Sequence, residues 1–472
     1  MAYFAALPQL TVPASLAHLV PPEVVAARDY YRAAYAQHEI SLYVHYPFCV
    51  RKCPYCDFSS LPLGSDGARD EDYVSLLLRE FELKKDLLKG RSLVSVYLGG
   101  GTPSLCEPKE LGRLLAGIGP YLAADAEISL EANPGTVDAH KLRQLRAAGF
   151  NRISIGVQSF DEVMLKRLGR IHSRDEAIAA ARLARAADFT NFNLDVMHGL
   201  PGQDVAGALA DLDTALSLEP THLSWYELTL EEGTYFGKHP PKLPDEDVLV
   251  EIETAGFDKL QAAGFAHYEV SAFSLGGTTR CYHNQNYWLY GDYLGLGAGA
   301  HQKVSLKRAD AAALSGMALS GAAALSGAAL SGMALSGMAL SGQSGAEDAS
   351  AMAIWRTANS EEIAAYRDQL LDLNVARKPP LLLGCSSHEV TDLGEIIFEY
   401  LLNRLRLRSD PVSVSEFKLR TGRELTAFTA DFLLLQEQGL VACELDSDGA
   451  LRAFTLTEQG NLMLNDVLAH FL

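Results

Sequence analysis

Cys49, Cys53 and Cys56 stand in the spacing C-x3-C-x2-C at the end of an apolar run, SLYVHYPFCVRKCPYCDF. The run reads as a strand, Ser41 to Phe48, that delivers a short loop carrying all three thiols, so three thiolates can converge on one centre. Three thiolates can hold three irons of a [4Fe-4S] cube and leave the fourth iron open to a small molecule, whereas electron carriers normally saturate the cluster with four cysteines. A structural zinc ion would need a fourth Cys or His nearby to close its tetrahedron. His45 is the near candidate, and its place on the strand ahead of Cys49 suits that role poorly. Cys106, Cys281, Cys385 and Cys443 are scattered. An odd number of cysteines without a paired framework points to a reducing compartment, and each of these four reads as a buried small hydrophobe.

Gly99-Gly100-Gly101-Thr102-Pro103 follows the second expected strand. Glycines let a backbone approach a ligand closely, and free amides and carbonyls at a strand end can grip an ammonium or carboxylate group; a plain tight turn is the alternative. Glu131 closes the third expected strand, where a carboxylate can accept two ribose hydroxyls or simply join a surface ion pair. The segment His283-Asn284-Gln285-Asn286-Tyr287-Trp288 sets an imidazole, a natural axial ligand of haem iron, beside flat rings suited to a porphyrin face. A histidine among aromatics is also, and more often, a satisfied, partly buried side chain. His301, in Gly297-Ala298-Gly299-Ala300-His301, is a second and weaker candidate.

Tyr43-Val44-His45-Tyr46-Pro47-Phe48-Cys49 and Cys53-Pro54-Tyr55-Cys56-Asp57-Phe58 together resemble the cluster motif of the radical S-adenosylmethionine (SAM) family, and most closely the haem-chaperone members of its coproporphyrinogen III dehydrogenase-like branch. The resemblance runs from about Ser41 to the C-terminus apart from one insertion. It implies a [4Fe-4S] cluster on Cys49, Cys53 and Cys56, with the methionyl amino and carboxyl groups of SAM on the open iron. It also implies SAM contacts at Tyr43 and Glu131, a hold on the methionyl amino group by Gly100, Gly101 and Thr102, and a lining of the SAM site and neighbouring cavity by Gln158, Arg170 and Asp195. Arg170 could pair with a carboxylate and Asp195 with an amino or hydroxyl group, unless both serve structural ion pairs. H-N-x-x-Y-W resembles the segment associated with haem binding in the chaperone members, which implies haem as a third cofactor and His283 as its ligand. The dehydrogenases of the branch carry a fourth cysteine two positions after the third, and here Phe58 stands there. The expectation is a cytoplasmic haem chaperone that hands haem to haem-requiring proteins, respiratory enzymes among them, and takes electrons from a donor. Oxygen-independent coproporphyrinogen III dehydrogenase is the alternative.

Such a site needs strand ends brought together. Between Ser41 and about Leu230, strand-like runs (Ser41 to Phe48, Val94 to Gly99, Glu127 to Glu131, Arg152 to Val157, Asn191 to Met197, His222 to Leu228) alternate with amphipathic segments (Asp72 to Leu88, Glu107 to Tyr121, Val137 to Ala148, Asp175 to Ala187, Val205 to Leu216). Six β/α units imply an α/β fold, a parallel sheet curled into a partial (β/α)6 barrel with the site at the C-terminal strand ends. The core and the haem-motif segment behind it are expected to span 41–308. Residues 309–352 break the pattern: ALSG recurs with Leu314, Leu319, Leu325, Leu330, Leu335 and Leu340 at a spacing that fits neither helix nor strand, so this reads as a low-complexity insertion. Residues 353–472 read as a helix-rich unit with a short β wing, similar to the family's winged-helix-like C-terminal domain, and residues 1–40 as an extension with a helix from Pro22 to His38. The 472-residue chain is 48% hydrophobic with a net charge of −19, which supplies a barrel-sized core and argues against a nucleic-acid surface. No run of eighteen apolar residues suggests a transmembrane segment.

Overall fold

The computed structural model describes residues 39–64, 70–315, 352–408 and 410–472. Strands form at all six expected places: β1 (Glu39–Tyr46), β2 (Ser92–Gly100), β3 (Leu122–Ala132), β4 (Arg152–Gln158), β5 (Asn191–His198) and β6 (His222–Glu227), each parallel to the next. Helices α1 (Asp70–Lys84), α2 (Pro108–Ile118), α3 (Ala139–Ala148), α4 (Arg174–Ala186) and α5 (Val205–Ser217) return the chain between them. Local signals set their ends. Asp138 and Asp204 accept the first free amides of α3 and α5, and Ser173 with Glu176 forms a reciprocal capping box on α4.

The strands bury both faces, and their side chains alternate with period two. Ile153, Ile155 and Val157 of β4, Leu194 and Val196 of β5, and Leu223 and Trp225 of β6 belong to the main hydrophobic core. Arg152, Ser154, Gly156 and Gln158, then Asn193 and Asp195, then His222, Ser224 and Tyr226 line a central cavity on the opposite face. The sheet is therefore oily towards its helices and polar towards its lumen.

Beyond the six strands the sheet continues at both edges. After α6 (Glu246–Ala262), β7 (Phe265–Glu269) and β8 (Ala272–Leu275) add antiparallel strands next to β6. After α7 (Tyr282–Trp288), β9 (Tyr293–Leu296) pairs in parallel with β1, followed by antiparallel β10 (His301–Lys307), β11 (Met352–Ala358) and β12 (Ser386–Val390). The twelve strands run β12-β11-β10-β9-β1-β2-β3-β4-β5-β6-β8-β7, a curled sheet that ends at β12 and β7 without closing.

The boundaries expected near residue 309 and residue 353 shift. β10 runs straight into α8 (Arg308–Ser315), whose Leu314 packs against the main core. Lys307 pairs directly with Met352, so the ALSG stretch is inserted into a β-hairpin of the large sheet, and β11, β12 and α9 (Ile363–Leu371) belong with that sheet. A second core gathers around α10 (Leu393–Arg404), α11 (Val414–Thr421) and α12 (Thr429–Glu437), with a small sheet of β13 (Val412–Ser413), β14 (Val441–Leu445) and β15 (Leu451–Leu456). Tyr290, Ile354 and Val390 join it to the large sheet. The expected helix from Pro22 to His38 and the repeat beyond residue 315 lie outside the described residues.

Candidate cluster and cofactor site

β1 ends at Tyr46, and Phe48–Cys49 then pairs in parallel with Leu61–Pro62. The amides of Leu61 and Leu63 donate to the carbonyls of Pro47 and Cys49, both at 2.8 Å, so the intervening chain is pinched into a loop, and within it the Cys56 amide donates to the Cys53 carbonyl at 3.2 Å. Cys49 is buried, and Cys53 and Cys56 are half-buried. All three line one cavity of about 410 Å³. Burial pushes the Cys49 and Cys56 thiols up, so as free thiols they favour the protonated form, which a bound metal would reverse. Arg170 lies beside them: one guanidinium nitrogen donates to the Gly156 carbonyl at 2.6 Å, while the other is 3.7 Å from the Cys53 sulfur and 3.4 Å from the Tyr55 hydroxyl. A half-buried cation at that place offsets the negative charge that thiolate ligands bring.

His45 does not complete a zinc site. Its Nε2 donates to the Ser59 carbonyl at 2.8 Å, which leaves Nδ1 to accept the Tyr43 hydroxyl at 2.8 Å. Both ring nitrogens are committed. Among the described residues no three His, Cys, Asp or Glu side chains converge tightly enough for a single ion. Three thiols on one loop suit a cube in which each sulfur serves a different iron.

The glycine triplet is set by close approach. A Cβ on Gly99 would lie 3.0 Å from a Glu131 carboxylate oxygen, on Gly100 2.6 Å from the His45 ring, and on Gly101 2.6 Å from the Phe48 carbonyl. Gly100 has φ +110°, which favours glycine on its own. The gain is contact: the amides of Gly101 and Thr102 donate to the carbonyls of Tyr46 and Phe48 at 2.8 Å, fastening the end of β2 to the base of the cysteine loop. Glu131, at the end of β3, accepts the Tyr97 hydroxyl at 2.9 Å and the Gly100 amide at 3.1 Å. Burial, and secondarily the charge of Asp195, push its carboxyl up to about 7.

Deeper in the lumen, Gln158 ends β4 with φ +73°, a strained conformation for a residue with a side chain, and accepts the Tyr226 hydroxyl at 2.7 Å. Asp195 accepts Asn193 Nδ2 at 2.7 Å and the Ser154 hydroxyl at 3.0 Å, and burial raises its carboxyl above the usual range. The cavity thus brings together Cys49, Cys53, Cys56, Gly100, Gly101, Thr102, Glu131, Gln158, Arg170 and Asp195.

Tyr43, His283 and His301 are not among its lining residues. Tyr43 sends its hydroxyl to His45, and its ring lies 5.8 Å from that of His283, inclined by 24°. The Tyr97 ring also stacks with it, at 4.8 Å and 19°. His283 is thereby packed against two tyrosines, with Nδ1 buried and lacking a hydrogen-bond partner, and burial lowers its pKa to about 4, which keeps the imidazole neutral. His301 is exposed at the start of β10. Sequence reasoning passed over Tyr97, Arg152, Asn193, Ser224 and Tyr226, all of which line the lumen. The signal for them was there as polar residues at alternate positions of otherwise apolar strands.

Residues 43–214 match the family model for the radical SAM superfamily. The chain is 52% identical to the haem chaperone HemW of Escherichia coli over 268 residues, 56% of this chain and 70% of that protein. It is 38% identical to HemW of Mycobacterium tuberculosis over 274 residues, 57% of this chain and 70% of that protein. With the mouse mitochondrial radical S-adenosyl methionine domain-containing protein 1 it shares 39% identity over 270 residues, covering 55% and 60%. The coproporphyrinogen III oxidase HemN of Escherichia coli superimposes with a TM-score of 0.68 over 93% of this chain and 91% of that one at 21% identity, a likeness of fold.

Proposed function

The chain belongs to the HemW family of radical SAM proteins, and on that footing we propose that it is a haem chaperone, one that binds a [4Fe-4S] cluster, SAM and haem and delivers haem to haem-requiring proteins. The observation that carries the proposal is the 52% identity spread over 70% of Escherichia coli HemW. Phe58 supports it against the dehydrogenase reading. The residue is 58% exposed beside the cysteine loop and offers no sulfur.

In this reading Cys49, Cys53 and Cys56 each hold one iron, and Arg170 balances the charge of the assembly from beside Cys53. A bound cluster supplies an open iron able to chelate SAM and to pass it an electron. The backbone of Gly100, Gly101 and Thr102 receives the methionyl amino group, and Glu131, already fixed by Tyr97 and Gly100, accepts the ribose hydroxyls through its remaining lone pairs. Gln158 and Asp195 wall the same space, with Tyr43 acting from behind the loop. His283 is the proposed haem ligand: its neutral imidazole is the form that coordinates iron. Among the described residues no helix is long and apolar enough to cross a membrane. Cluster thiols that must stay reduced favour a cytoplasmic setting, with an electron donor and haem acceptors as partners.

Anaerobic reconstitution of the full chain, followed by parallel assays of haem retention and coproporphyrinogen decarboxylation with SAM and reductant, separates the readings. The chaperone retains haem and releases no carbon dioxide. Robust decarboxylation would move the assignment to the dehydrogenase.

A further inference from the structure

We infer that Asp211 is a positioning residue of the central cavity: from α5 it fixes the turn that follows β4 and thereby aims Gln158 at the ligand. The inference rests on the assignment of Gln158 to the wall of the SAM site. On α5 the buried stripe is Ala208, Asp211, Leu212 and Ala215, and Asp211, 3% exposed, is its polar exception. A buried carboxylate costs free energy that an apolar side chain at the same place would not, unless donors converge on it.

Three donors do converge. The Phe160 amide donates to Asp211 Oδ1 at 2.7 Å, and the Ser159 hydroxyl and Gln203 Nε2 donate to Oδ2 at 2.7 and 3.4 Å. The contacts pass outward: Ser159 Oγ accepts the Asp161 amide at 3.0 Å, and Gln203 Oε1 accepts the Leu200 amide at 3.2 Å. Asp211 therefore ties the turn after β4 to the loop after β5. Burial raises its carboxyl to about 6, so at pH 8 it is ionised and purely an acceptor. A carboxamide cannot reproduce this set. With its nitrogen at the Oδ2 place it turns a donor towards Gln203 Nε2, and with its nitrogen at the Oδ1 place it turns one towards the Phe160 amide.

The turn so held begins at a residue whose conformation a regular strand does not supply. The pairing of β4 with β5 slips by one residue between Gly156 and Gln158, and Gln158 stands at φ +73°. A bulge of this kind re-aims a side chain, and a left-handed residue with a Cβ persists where its surroundings over-determine it. On the lumen side Gln158 lines the cavity, with Oε1 accepting the Tyr226 hydroxyl at 2.7 Å. On the helix side Asp211 takes hold of Ser159 and Phe160, the next two residues of the chain. The backbone that sets the direction of Gln158 is thus fixed from outside the cavity.

The test is a double-mutant cycle on SAM affinity, read by anaerobic calorimetry at pH 8 on the full chain with its cluster reconstituted. Gln158→Ala should weaken SAM binding by roughly three- to tenfold, the range of one hydrogen bond. Asp211→Asn, which keeps shape and loses an acceptor, should weaken it by no more than that. Ser159→Ala, which removes one of the three donors, should give a smaller fall in the same direction. In the double variant Gln158→Ala/Asp211→Asn the affinity should match Gln158→Ala alone, because a positioning residue has nothing left to aim. The cluster absorbance should be the same in all. A merely structural Asp211 would lower the melting temperature and leave SAM affinity at the wild-type value, which overturns the inference, as would a double variant whose loss is the product of the two single losses. Wild-type affinity in Gln158→Ala would instead remove Gln158 from the SAM site, and the inference with it.

Discussion

SAM affinity should rise about tenfold between pH 6 and pH 8, and Glu131→Gln should remove that rise. Burial and the charge of Asp195 hold the Glu131 carboxyl up at about 7, against the pull of the Tyr97 hydroxyl and the Gly100 amide. A group titrating at about 7 is roughly one-eleventh ionised at pH 6 and ten-elevenths at pH 8, so if the carboxylate form is the one that accepts the ribose hydroxyls, binding follows that ratio. The amino group of SAM titrates in the same range, but equally for both proteins, so the difference between wild type and Glu131→Gln isolates the side chain. Stability moves the opposite way. A carboxyl whose folded pKa is raised from 4.5 contributes stability that is full below about 4.5 and is lost as pH climbs through about 7, at most roughly 3 kcal/mol for the printed shift. Without SAM, Glu131→Gln should therefore gain in melting temperature relative to wild type as pH rises from 5 to 8. Anaerobic calorimetric titration of the reconstituted protein at four or five pH values reads the affinity directly. Identical pH slopes in the two proteins would sink the assignment of Glu131 to the ribose.

Cys49→Ala, Cys53→Ala and Cys56→Ala should each abolish a stable cluster, read as iron content and visible absorption; full iron in all three variants would refute the ligand set. His283→Ala should alter the Soret band and weaken haem retention while leaving the cluster spectrum unchanged, whereas His301→Ala, at an exposed strand end, should matter less; an unaltered Soret band in His283→Ala would displace that ligand. Gly256→Ala should destabilise, because the new Cβ would fall 1.9 Å from Trp225 Cη2 where α6 crosses β6; overpacking of about 1–3 kcal/mol outweighs a helix-propensity gain of about 1 kcal/mol, and a raised melting temperature would contradict it. Excising residues 320–345 behind a short Gly/Ser linker should leave the melting temperature unchanged, since α8 with Leu314 is kept and Lys307 already pairs with Met352; a large fall would show that the repeat is structural.

The curled sheet was legible because two periods alternate along the chain, and Asp138, Ser173 with Glu176, and Asp204 mark where helices start. Its continuation was harder to read. β11 and β12 are separated from β10 by a repeat that carries no period, and the eye takes such a break for a domain boundary, whereas only the hydrogen-bonded register from Lys307–Met352 to His301–Ala358 shows a hairpin interrupted at its turn. At the site, the residues found from sequence were those in dense local motifs: the cysteine loop, the glycine triplet, Glu131 beside Asn133-Pro134. Tyr97 and Arg152 belong to no motif. Each is one polar residue in an apolar strand, which period-two alternation places in the lumen but which resembles a strand-end charge or a packed aromatic until the sheet curls.

Tyr43, expected from the sequence to touch SAM, gives its hydroxyl to His45 and stacks its ring with that of His283. The same contacts give it a different importance. His45 presses against Gly100, whose amide reaches Glu131, and Tyr97, two residues before Gly99, both bonds Glu131 and stacks on His283. The H-N-x-x-Y-W helix and the glycine–glutamate corner therefore share Tyr97 directly and Tyr43 through His45. A side chain change at His283 releases one face of each tyrosine, and the hydroxyl of one of them is a fixed donor to Glu131. Aromatic contacts of this kind are worth about 0.5–1.5 kcal/mol each beyond their buried area, enough to shift the corner that Glu131 occupies without unfolding the sheet that holds it.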